Sequence, residues 1–208
     1  MSKHQNPSKW TIIFVLGGPG AGKGTQCSRL AANYPIAHLS MGDILREEQE
    51  KPGSIWDELI RKNILEGVIG PPEMAVSLLQ ESMAEKHKKG GISVFLLDGF
   101  PRRIEHVARF ESTIGSPSAV LFLDCPEDVL QERLLTRGKT SGRVDDNIAV
   151  IHKRFKTFAE TTMPVVEHFR KQDRVVQIDA TKDADAVHRD IQIMVEEKLG
   201  DVWGRGKK

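Results

Sequence analysis

Residues 12–25 read Ile12-Ile13-Phe14-Val15-Leu16-Gly17-Gly18-Pro19-Gly20-Ala21-Gly22-Lys23-Gly24-Thr25, an apolar run that leads directly into a glycine-rich loop. The apolar part is typical of a buried strand, and the residues that follow the loop have the periodicity of a helix. Glycines let successive backbone N–H groups turn toward one point at a helix N-terminus, where an anion is stabilised. The stretch therefore predicts a loop that holds a polyphosphate, with Lys23 reaching its terminal phosphates.

The loop departs at one position from the strict phosphate-binding pattern, in which Ser or Thr follows the lysine directly. Here Gly24 intervenes, and Thr25 supplies the hydroxyl expected near Mg²⁺. A glycine-rich turn that merely joins a strand to a helix is the competing interpretation. Because both the spacing and the flanking elements fit a phosphate loop, we favour nucleotide binding.

Apolar runs rich in β-branched and aromatic residues alternate along the chain with segments of helical periodicity. The predicted strands are 12–16, 36–39, 92–97, 119–123 and 175–178. The predicted helices are 23–32, 54–66, 72–89, 104–114, 126–137, 148–171 and 184–199. Continuous apolar strands joined by helical crossovers indicate an α/β fold with a five-stranded parallel sheet covered on both faces. A mainly helical excursion over 41–91 and a polar segment over 138–147 interrupt the alternation and are candidate insertions.

The composition restricts the class of protein and its partners. The chain has 208 residues, and 30 Lys and Arg balance 29 Asp and Glu to a net charge of +1. No whole-molecule field points to nucleic acid or to an acidic membrane, so an anion site has to be local, and the balance favours a monomer. Cys27 and Cys125 are too few for a disulfide framework or a zinc cluster. With no signal segment and no membrane-spanning apolar run, we expect a cytoplasmic location, and the nucleus is also compatible.

A carboxylate follows the predicted strand at 92–97. Asp98 begins the stretch Asp98-Gly99-Phe100-Pro101-Arg102. A carboxylate at the C-terminal edge of a parallel sheet is what a Mg²⁺–nucleotide site needs, because hard cations take oxygen ligands, often through water. The alternative is an aspartate that caps the turn before Gly99, and the two roles are compatible.

Arginine recurs at predicted strand ends and in the candidate insertions. Phosphoryl transfer needs no protein nucleophile, but it does need positive donors around the phosphate oxygens in a site that closes against water. Taken singly, each arginine is also compatible with a solvated surface charge. The candidates are Arg46, Arg102, Arg133, Arg137, Arg143 and Arg154.

The polar segment 138–147 has the features of a closing lid. Gly138 and Gly142 are candidate hinges, and arginines stand before and within the segment. Asp145 and Asp146 are open to two interpretations, since they either cap the following helix or pair with these arginines.

Four motifs in unbroken order carry a family resemblance. They are Gly-Gly-Pro-Gly-Ala-Gly-Lys-Gly-Thr-Gln-Cys at 17–27, Leu-Ser-Met-Gly-Asp-Ile-Leu-Arg at 39–46, Asp-Gly-Phe-Pro-Arg at 98–102 and the lid segment at 137–147. The chain resembles a nucleoside monophosphate (NMP) kinase of the adenylate kinase superfamily, closest to the short-lid UMP/CMP kinases. The resemblance implies one P-loop, three-layer domain over 9–199, with a helical NMP-binding insert at about 40–75, a short lid at about 138–147 and flexible tails at 1–8 and 200–208.

The resemblance also assigns roles to residues, in a reaction that takes ATP and a nucleoside monophosphate to ADP and a diphosphate with Mg²⁺. It implies transfer chemistry for Lys23, Arg102, Arg137, Arg143 and Arg154, and Mg²⁺ binding through water for Asp98. It implies ATP contacts for Gly18, Pro19, Gly20, Ala21, Gly22, Lys23, Gly24, Thr25, Arg133, Arg137 and Lys182. It implies acceptor contacts for Ser40, Met41, Arg46, Ile69, Gly99, Arg102, His106, Arg143 and Arg154.

The sequence motifs do not determine which nucleoside monophosphate is the acceptor. The stretches 120–127, 137–143 and 178–182 look more like UMP/CMP kinases than adenylate kinases, but none of them touches the acceptor base. At base-reading positions the chain departs from both patterns, with Met41, with His106 and with Gly70 before two prolines. A neutral imidazole offers one donor and one acceptor and does not decide between the bases, whereas the bulk of Met41 favours a pyrimidine. His106 as a surface residue without contacts is the alternative.

Three functions therefore stay open from the sequence alone. The first is phosphorylation of UMP or CMP, with dCMP as a further acceptor. The second is adenylate kinase activity, and the third is a nucleotide-binding protein without turnover. Nucleotides are the only partners that we expect in each case.

Overall fold

A computed structural model describes residues 10–141 and 147–203. The strands are β1 (Thr11–Gly17), β2 (Ala37–Ser40), β3 (Val94–Asp98), β4 (Ala119–Asp124) and β5 (Val175–Asp179). They form one parallel sheet in the order β2-β3-β1-β4-β5. The predicted α/β fold with five parallel strands is confirmed, and each strand lies close to its predicted range.

Helices connect the strands and cover the sheet. They are α1 (Lys23–Asn33), α2 (Met41–Glu50), α3 (Asp57–Glu66), α4 (Pro72–Gly90), α5 (Ile104–Thr113), α6 (Glu127–Ser141), α7 (Ile148–Thr157), α8 (Met163–Arg170) and α9 (Ala184–Trp203). Within the described ranges, none of these helices is long and apolar enough to cross a membrane.

Several helix boundaries differ from the prediction. α2 is a separate helix within the expected helical excursion, α3 begins at Asp57, and α9 continues to Trp203, into the segment expected as a flexible tail.

Two further differences lie close to the cleft. The single helix predicted over 148–171 is divided by a π-helical turn, Phe158–Thr162, between α7 and α8. Pro164 follows this turn in the first turn of α8, and its missing N–H cannot continue the α-helical ladder. The helix predicted to end at residue 137 continues to Ser141, so Gly138 does not interrupt it. Part of the expected lid, 138–141, is thus helical, and 142–146 lie outside the described residues.

Both faces of the sheet are buried, because alternate residues of β1 belong to two different cores. Phe14 contacts Phe100, Phe110 and Phe169 edge-on, with ring centroids 5.2 to 5.8 Å apart, on the face covered by α4, α5 and α8. Val15 lies on the opposite face with α1, α6, α7 and α9. Burial on both sides explains why the strands are continuous apolar runs instead of alternating ones.

The topology brings the end of β1 and the end of β3 together. The two strands are neighbours in parallel register, with Val15 opposite Asp98, and Ser40 at the end of β2 is opposite Asp98 on the other side. The chain leaves β1 toward β2 and leaves β3 toward β4, which are in opposite directions. Ligands of open α/β sheets bind at such a point, outside the carboxyl ends of the strands.

Candidate active site

A cleft of about 700 Å³ opens at this carboxyl edge. Its walls come from the loop after β1, from α2 and α3, from the segment after β3, and from α6, α7 and the loop after β5. Of the residues singled out in the sequence, the cleft is lined by Pro19, Gly20, Ala21, Gly22, Lys23, Gly24, Thr25, Ser40, Met41, Arg46, Ile69, Asp98, Gly99, Arg102, His106, Arg133, Arg137, Arg154 and Lys182. The topology therefore gathers groups that are far apart along the chain into one site.

Two sequence-predicted residues are not among the lining groups. Gly18 lies behind the loop, where a Cβ atom would approach Leu130 Cδ1 to 2.4 Å. Its carbonyl oxygen accepts a hydrogen bond from the backbone N–H of Ala21 at 3.1 Å. Arg143 lies outside the described residues, together with Asp145 and Asp146, so their predicted roles stay predictions.

The glycine loop has backbone conformations that only glycine adopts readily. Gly20 has φ +91° and Gly22 has φ +86°, in the region that L-residues with a Cβ avoid. A Cβ at Gly20 would also lie 2.8 Å from the carbonyl oxygen of Leu130. Gly22 immediately precedes the first turn of α1, so the unpaired N–H groups of that turn face the cleft. The loop thus has the shape and polarity of an anion cradle.

Lys23 crosses this loop. Its Nζ donates hydrogen bonds to the carbonyl oxygens of Gly17 and Gly18, each at 2.9 Å. Burial lowers the pKa of Lys23 to about 8; Asp98 opposes this shift, whereas Arg102 and Arg154 add to it. The ammonium group is therefore a buried cation among other cations, a place that a polyphosphate would neutralise.

Asp98 lies beneath the loop at the end of β3 and is 7% exposed. Its Oδ2 atom lies 3.2 Å from Nε2 of His38, which donates the hydrogen bond because a carboxylate only accepts. The other ring nitrogen of His38 is 3.3 Å from Oγ of Ser28. The N–H of Gly99 donates to the carbonyl oxygen of Val15, which leaves the Asp98 carboxylate directed at the cleft rather than at that N–H.

The arginines reach the cleft from four different elements. Arg102 donates from Nε to the carbonyl oxygen of Gly99 at 2.8 Å, which holds its side chain beside the end of β3. Arg46 on α2 pairs with Asp43 one turn earlier. Arg137 on α6 and Arg154 on α7 line the same cavity. A ligand in this cleft is surrounded by cations held by a rigid scaffold.

Comparison with known proteins agrees with this geometry. Residues 15–174 match the family model described as Adenylate kinase. The chain belongs to the adenylate kinase family. It is 48% identical to a uridylate kinase of Saccharomyces cerevisiae over 93% of this chain and 95% of that protein. It is 46% identical to a UMP-CMP kinase of Lentinula edodes (96% and 92% covered) and 50% identical to a uridylate kinase of Schizosaccharomyces pombe (87% and 95% covered).

In this adenylate kinase family member, the far end of the cleft is formed by Met41 and His106, which are 4% and 3% exposed. The imidazole of His106 stacks on the ring of Phe100, with centroids 5.4 Å apart and an interplanar angle of 17°. Burial lowers the pKa of His106 to about 4, so the ring is neutral. The alternative of an exposed His106 without contacts is wrong.

The tautomer of His106 follows from its partner. Nε2 lies 3.1 Å from the carbonyl oxygen of Gly70, which can only accept, so Nε2 carries the proton. Nδ1 is then a lone pair, and it is buried with no hydrogen-bond partner among the described residues. The sequence alone left donor and acceptor undecided, and the contact with Gly70 decides it.

The opposite end of the cleft is built around the loop after β5. Arg133 donates to the carbonyl oxygens of Ala180 at 2.8 Å and of Thr181 and Lys182 at 3.2 Å. These bonds hold the loop against α6. Arg133 therefore shapes this end of the cleft through the backbone, in addition to lining it.

Sequence reasoning missed a polar clamp that fixes the same loop from the other side. Gln26 on α1 is 2% exposed; its Nε2 donates to the carbonyl oxygen of Ala184 at 2.9 Å, and its Oε1 accepts from Nδ1 of His188 at 3.1 Å. It also missed His38. In both cases the available signal was a polar residue at an otherwise buried position, within the first motif for Gln26 and directly before the second for His38.

Proposed function

We infer that this protein transfers the terminal phosphoryl group of ATP to UMP or CMP. The observation that carries the inference is the cleft that brings Lys23, Arg102, Arg137 and Arg154 together above an anion-binding loop. The uridylate and UMP-CMP kinases at 46 to 50% identity support the choice of a pyrimidine acceptor.

The reaction is a direct in-line displacement. An oxygen of the acceptor phosphate forms a bond with the γ-phosphorus, the bond to the β,γ-bridging oxygen breaks, and its electron pair leaves with ADP. No protein nucleophile takes part. The loop N–H groups and Lys23 hold the donor phosphates, while Arg102, Arg137 and Arg154 stabilise charge on the transferring group.

The residues present fit a Mg²⁺ ion beside the phosphates. Asp98 supplies carboxylate oxygens and Thr25 a hydroxyl, both on the cleft wall, and hard oxygen donors are what this ion prefers. We propose that Asp98 holds the ion through water and that Thr25 lies next to it. When bound, Mg²⁺ neutralises charge on the β- and γ-phosphates.

At the acceptor end, Arg46 and Arg102 clamp the monophosphate, and Met41 and His106 bound the space for the base. Met41 is buried and reduces that space, which favours a pyrimidine over a purine. The lone pair on Nδ1 of His106 accepts from a donor, and uracil offers N3–H while cytosine offers its amino group. The acceptor is also contacted by Ser40, Ile69 and Gly99. Arg143, in the lid segment, contacts the phosphates.

At the donor end, we propose that adenine binds between Arg133 and the loop that carries Lys182. Arg133 presents the face of its guanidinium to the base while its N–H groups hold the loop carbonyls. The clamp at Gln26 keeps that loop in place.

The decisive experiment is an ADP-release assay with ATP and Mg²⁺ and with UMP, CMP, dCMP, AMP and GMP in parallel at matched concentrations. We expect UMP and CMP to be preferred. A clear preference for AMP would contradict the pyrimidine assignment and identify an adenylate kinase. ATP binding without ADP formation from any acceptor would contradict catalysis altogether.

We further propose that the protein works as a cytoplasmic monomer. The balance of 30 Lys and Arg against 29 Asp and Glu supports a monomer, and Cys27 and Cys125 are free thiols that suit a reducing compartment. Sedimentation at the concentration used in the assay tests the oligomeric state, and a dimer would contradict the proposal.

A further inference from the structure

Three potential metal ligands of different chemistry meet under the phosphate loop. One ligand atom each from Cys27, His38 and Asp98 all lie within 4.8 Å of one another. They come from α1, β2 and the end of β3, so the packing of helix on sheet assembles the cluster. Within 10–141 and 147–203, this is the one group of three such side chains at this spacing.

The spacing suits a tetrahedral ion. Bonds of about 2.0 to 2.3 Å to nitrogen, oxygen and sulfur place neighbouring ligand atoms roughly 3 to 4 Å apart. Nε2 of His38 and Oδ2 of Asp98 are already 3.2 Å apart. Small side-chain adjustments then bring Sγ of Cys27 to the same ion.

The surroundings of His38 already fix its ring for such a role. Oγ of Ser28 lies 3.3 Å from Nδ1, on the side of the ring away from Asp98. An outer hydrogen bond of this kind orients a ligating imidazole and raises its basicity. When the ion binds, His38 takes the tautomer in which Nδ1–H donates to Ser28, and Nε2 then presents its lone pair to the ion.

We propose that Cys27, His38 and Asp98 form a binding site for a thiophilic divalent cation such as Zn²⁺, whose occupation withdraws Asp98 from Mg²⁺-dependent catalysis. A thiolate is a soft ligand that favours Zn²⁺ and is of no use to Mg²⁺. The two ions therefore share one carboxylate but differ in their other ligands. The withdrawal of Asp98 rests on the proposed function, whereas the metal site itself does not.

The final charge and the access are both compatible with binding. Because burial raises the pKa of the Cys27 thiol in the free protein, the ion has to displace the thiol proton. One thiolate and one carboxylate balance the charge of a divalent ion. The thiol proton leaves to solvent, and the proton on Nε2 of His38 is replaced by one on Nδ1. The side chains of His38 and Asp98 are 15% and 9% exposed and line the cleft, so the ion enters from there, with Cys27 behind them.

The test is a titration of the purified protein with Co²⁺ alone, followed by absorption, because a thiolate–Co²⁺ bond gives a charge-transfer band in the near ultraviolet. The chain offers a matched pair of variants, since it has two cysteines. We expect the band in the wild type and in Cys125→Ala, its displacement by Zn²⁺, and its loss in Cys27→Ala. Cys27→Ser, which keeps the size of the side chain, is expected to lose it as well.

A second measurement follows Zn²⁺ inhibition of ADP release at fixed Mg²⁺ and ATP. The Zn²⁺ concentration for half-inhibition should rise by more than about tenfold in Cys27→Ala, since loss of even an outer partner of a metal site costs this much affinity. Thermal melting checks that each variant is folded. If Cys27→Ala does not fold, His38→Asn should by itself weaken Zn²⁺ binding and raise the half-inhibiting concentration. No band in the wild type, or a band that persists in Cys27→Ala and disappears in Cys125→Ala, would overturn the proposal. These absorption results require no turnover, so they fail or succeed independently of the kinase assignment.

Discussion

Lys23 is buried, yet its proposed role beside the phosphates needs a positive charge. Its pKa is about 8 in the free protein, mainly because burial disfavours the ammonium form. The protonated form is the active one, so kcat/KM for ATP should be constant well below pH 8, fall to half near pH 8 and decline further above it. Bound phosphate favours the ammonium, so kcat should fall only at higher pH. Initial rates across pH measure both quantities: limiting ATP gives the pH dependence of kcat/KM, and saturating ATP gives that of kcat.

Removing this charge is the direct test of its role. Lys23→Ala should lower kcat by about 10²- to 10³-fold, the usual loss when one preorganised donor to the transition state is removed. Lys62→Ala is a matched control, because Lys62 is exposed on α3. The circular dichroism of both variants should equal that of the wild type. A near-normal kcat for folded Lys23→Ala would refute its placement beside the transferring group.

His106 is expected to govern the choice of acceptor. His106→Phe keeps a ring beside Phe100 but removes the Nδ1 lone pair, so kcat/KM for UMP and CMP should fall by roughly tenfold or more. KM for ATP should not change, because His106 lies at the other end of the cleft. Steady-state kinetics with each acceptor measures the ranking. Equal effects on AMP, UMP and CMP would mean that His106 supports the loop at Gly70 and does not read the base.

Gln26 links two helices, α1 and the start of α9. Gln26→Leu removes its bonds to Ala184 and His188, and should raise KM for ATP while leaving KM for UMP unchanged. The lost hydrogen bonds should also lower the free energy of unfolding by about 1 kcal/mol, since Arg29 still donates to the carbonyl oxygen of Ala184. Gln80→Leu, at an exposed position of α4, is the control and should change neither the KM values nor the free energy of unfolding. An equal rise in both KM values would argue for a general loss of structure.

The same elements show what sequence patterns can and cannot predict. Apolar runs and glycine positions depend on local chemistry, so they predicted the parallel sheet, the phosphate loop and most helices. The π-helical turn before α8 depends on one proline that local periodicity ignores. Contacts such as His38 with Asp98 depend on strand register between β2 and β3, which no local pattern contains. The motif residues were found individually, but the groups that position them were not.

At the scale of the whole molecule, the cleft and the core belong to one cooperative structure. The cleft walls come from the carboxyl ends of β1 and β3 and from helices on both faces of the sheet, so global unfolding destroys the site. A ligand that binds only the folded chain must then raise its stability by mass action.

ATP bound at the phosphate loop should therefore raise the thermal stability of the chain by a measurable amount. ATP at about 100 times its dissociation constant should stabilise the fold by about 2.7 kcal/mol. For a chain of this size, that corresponds to a rise in Tm of roughly 5 to 10 °C. Thermal melts with and without ATP measure it, and Lys23→Ala at the same ATP concentration should rise much less because its affinity is lower. An undiminished rise in Lys23→Ala would mean that ATP binds away from the phosphate loop, because the loop without its lysine lacks the charge that holds the terminal phosphates.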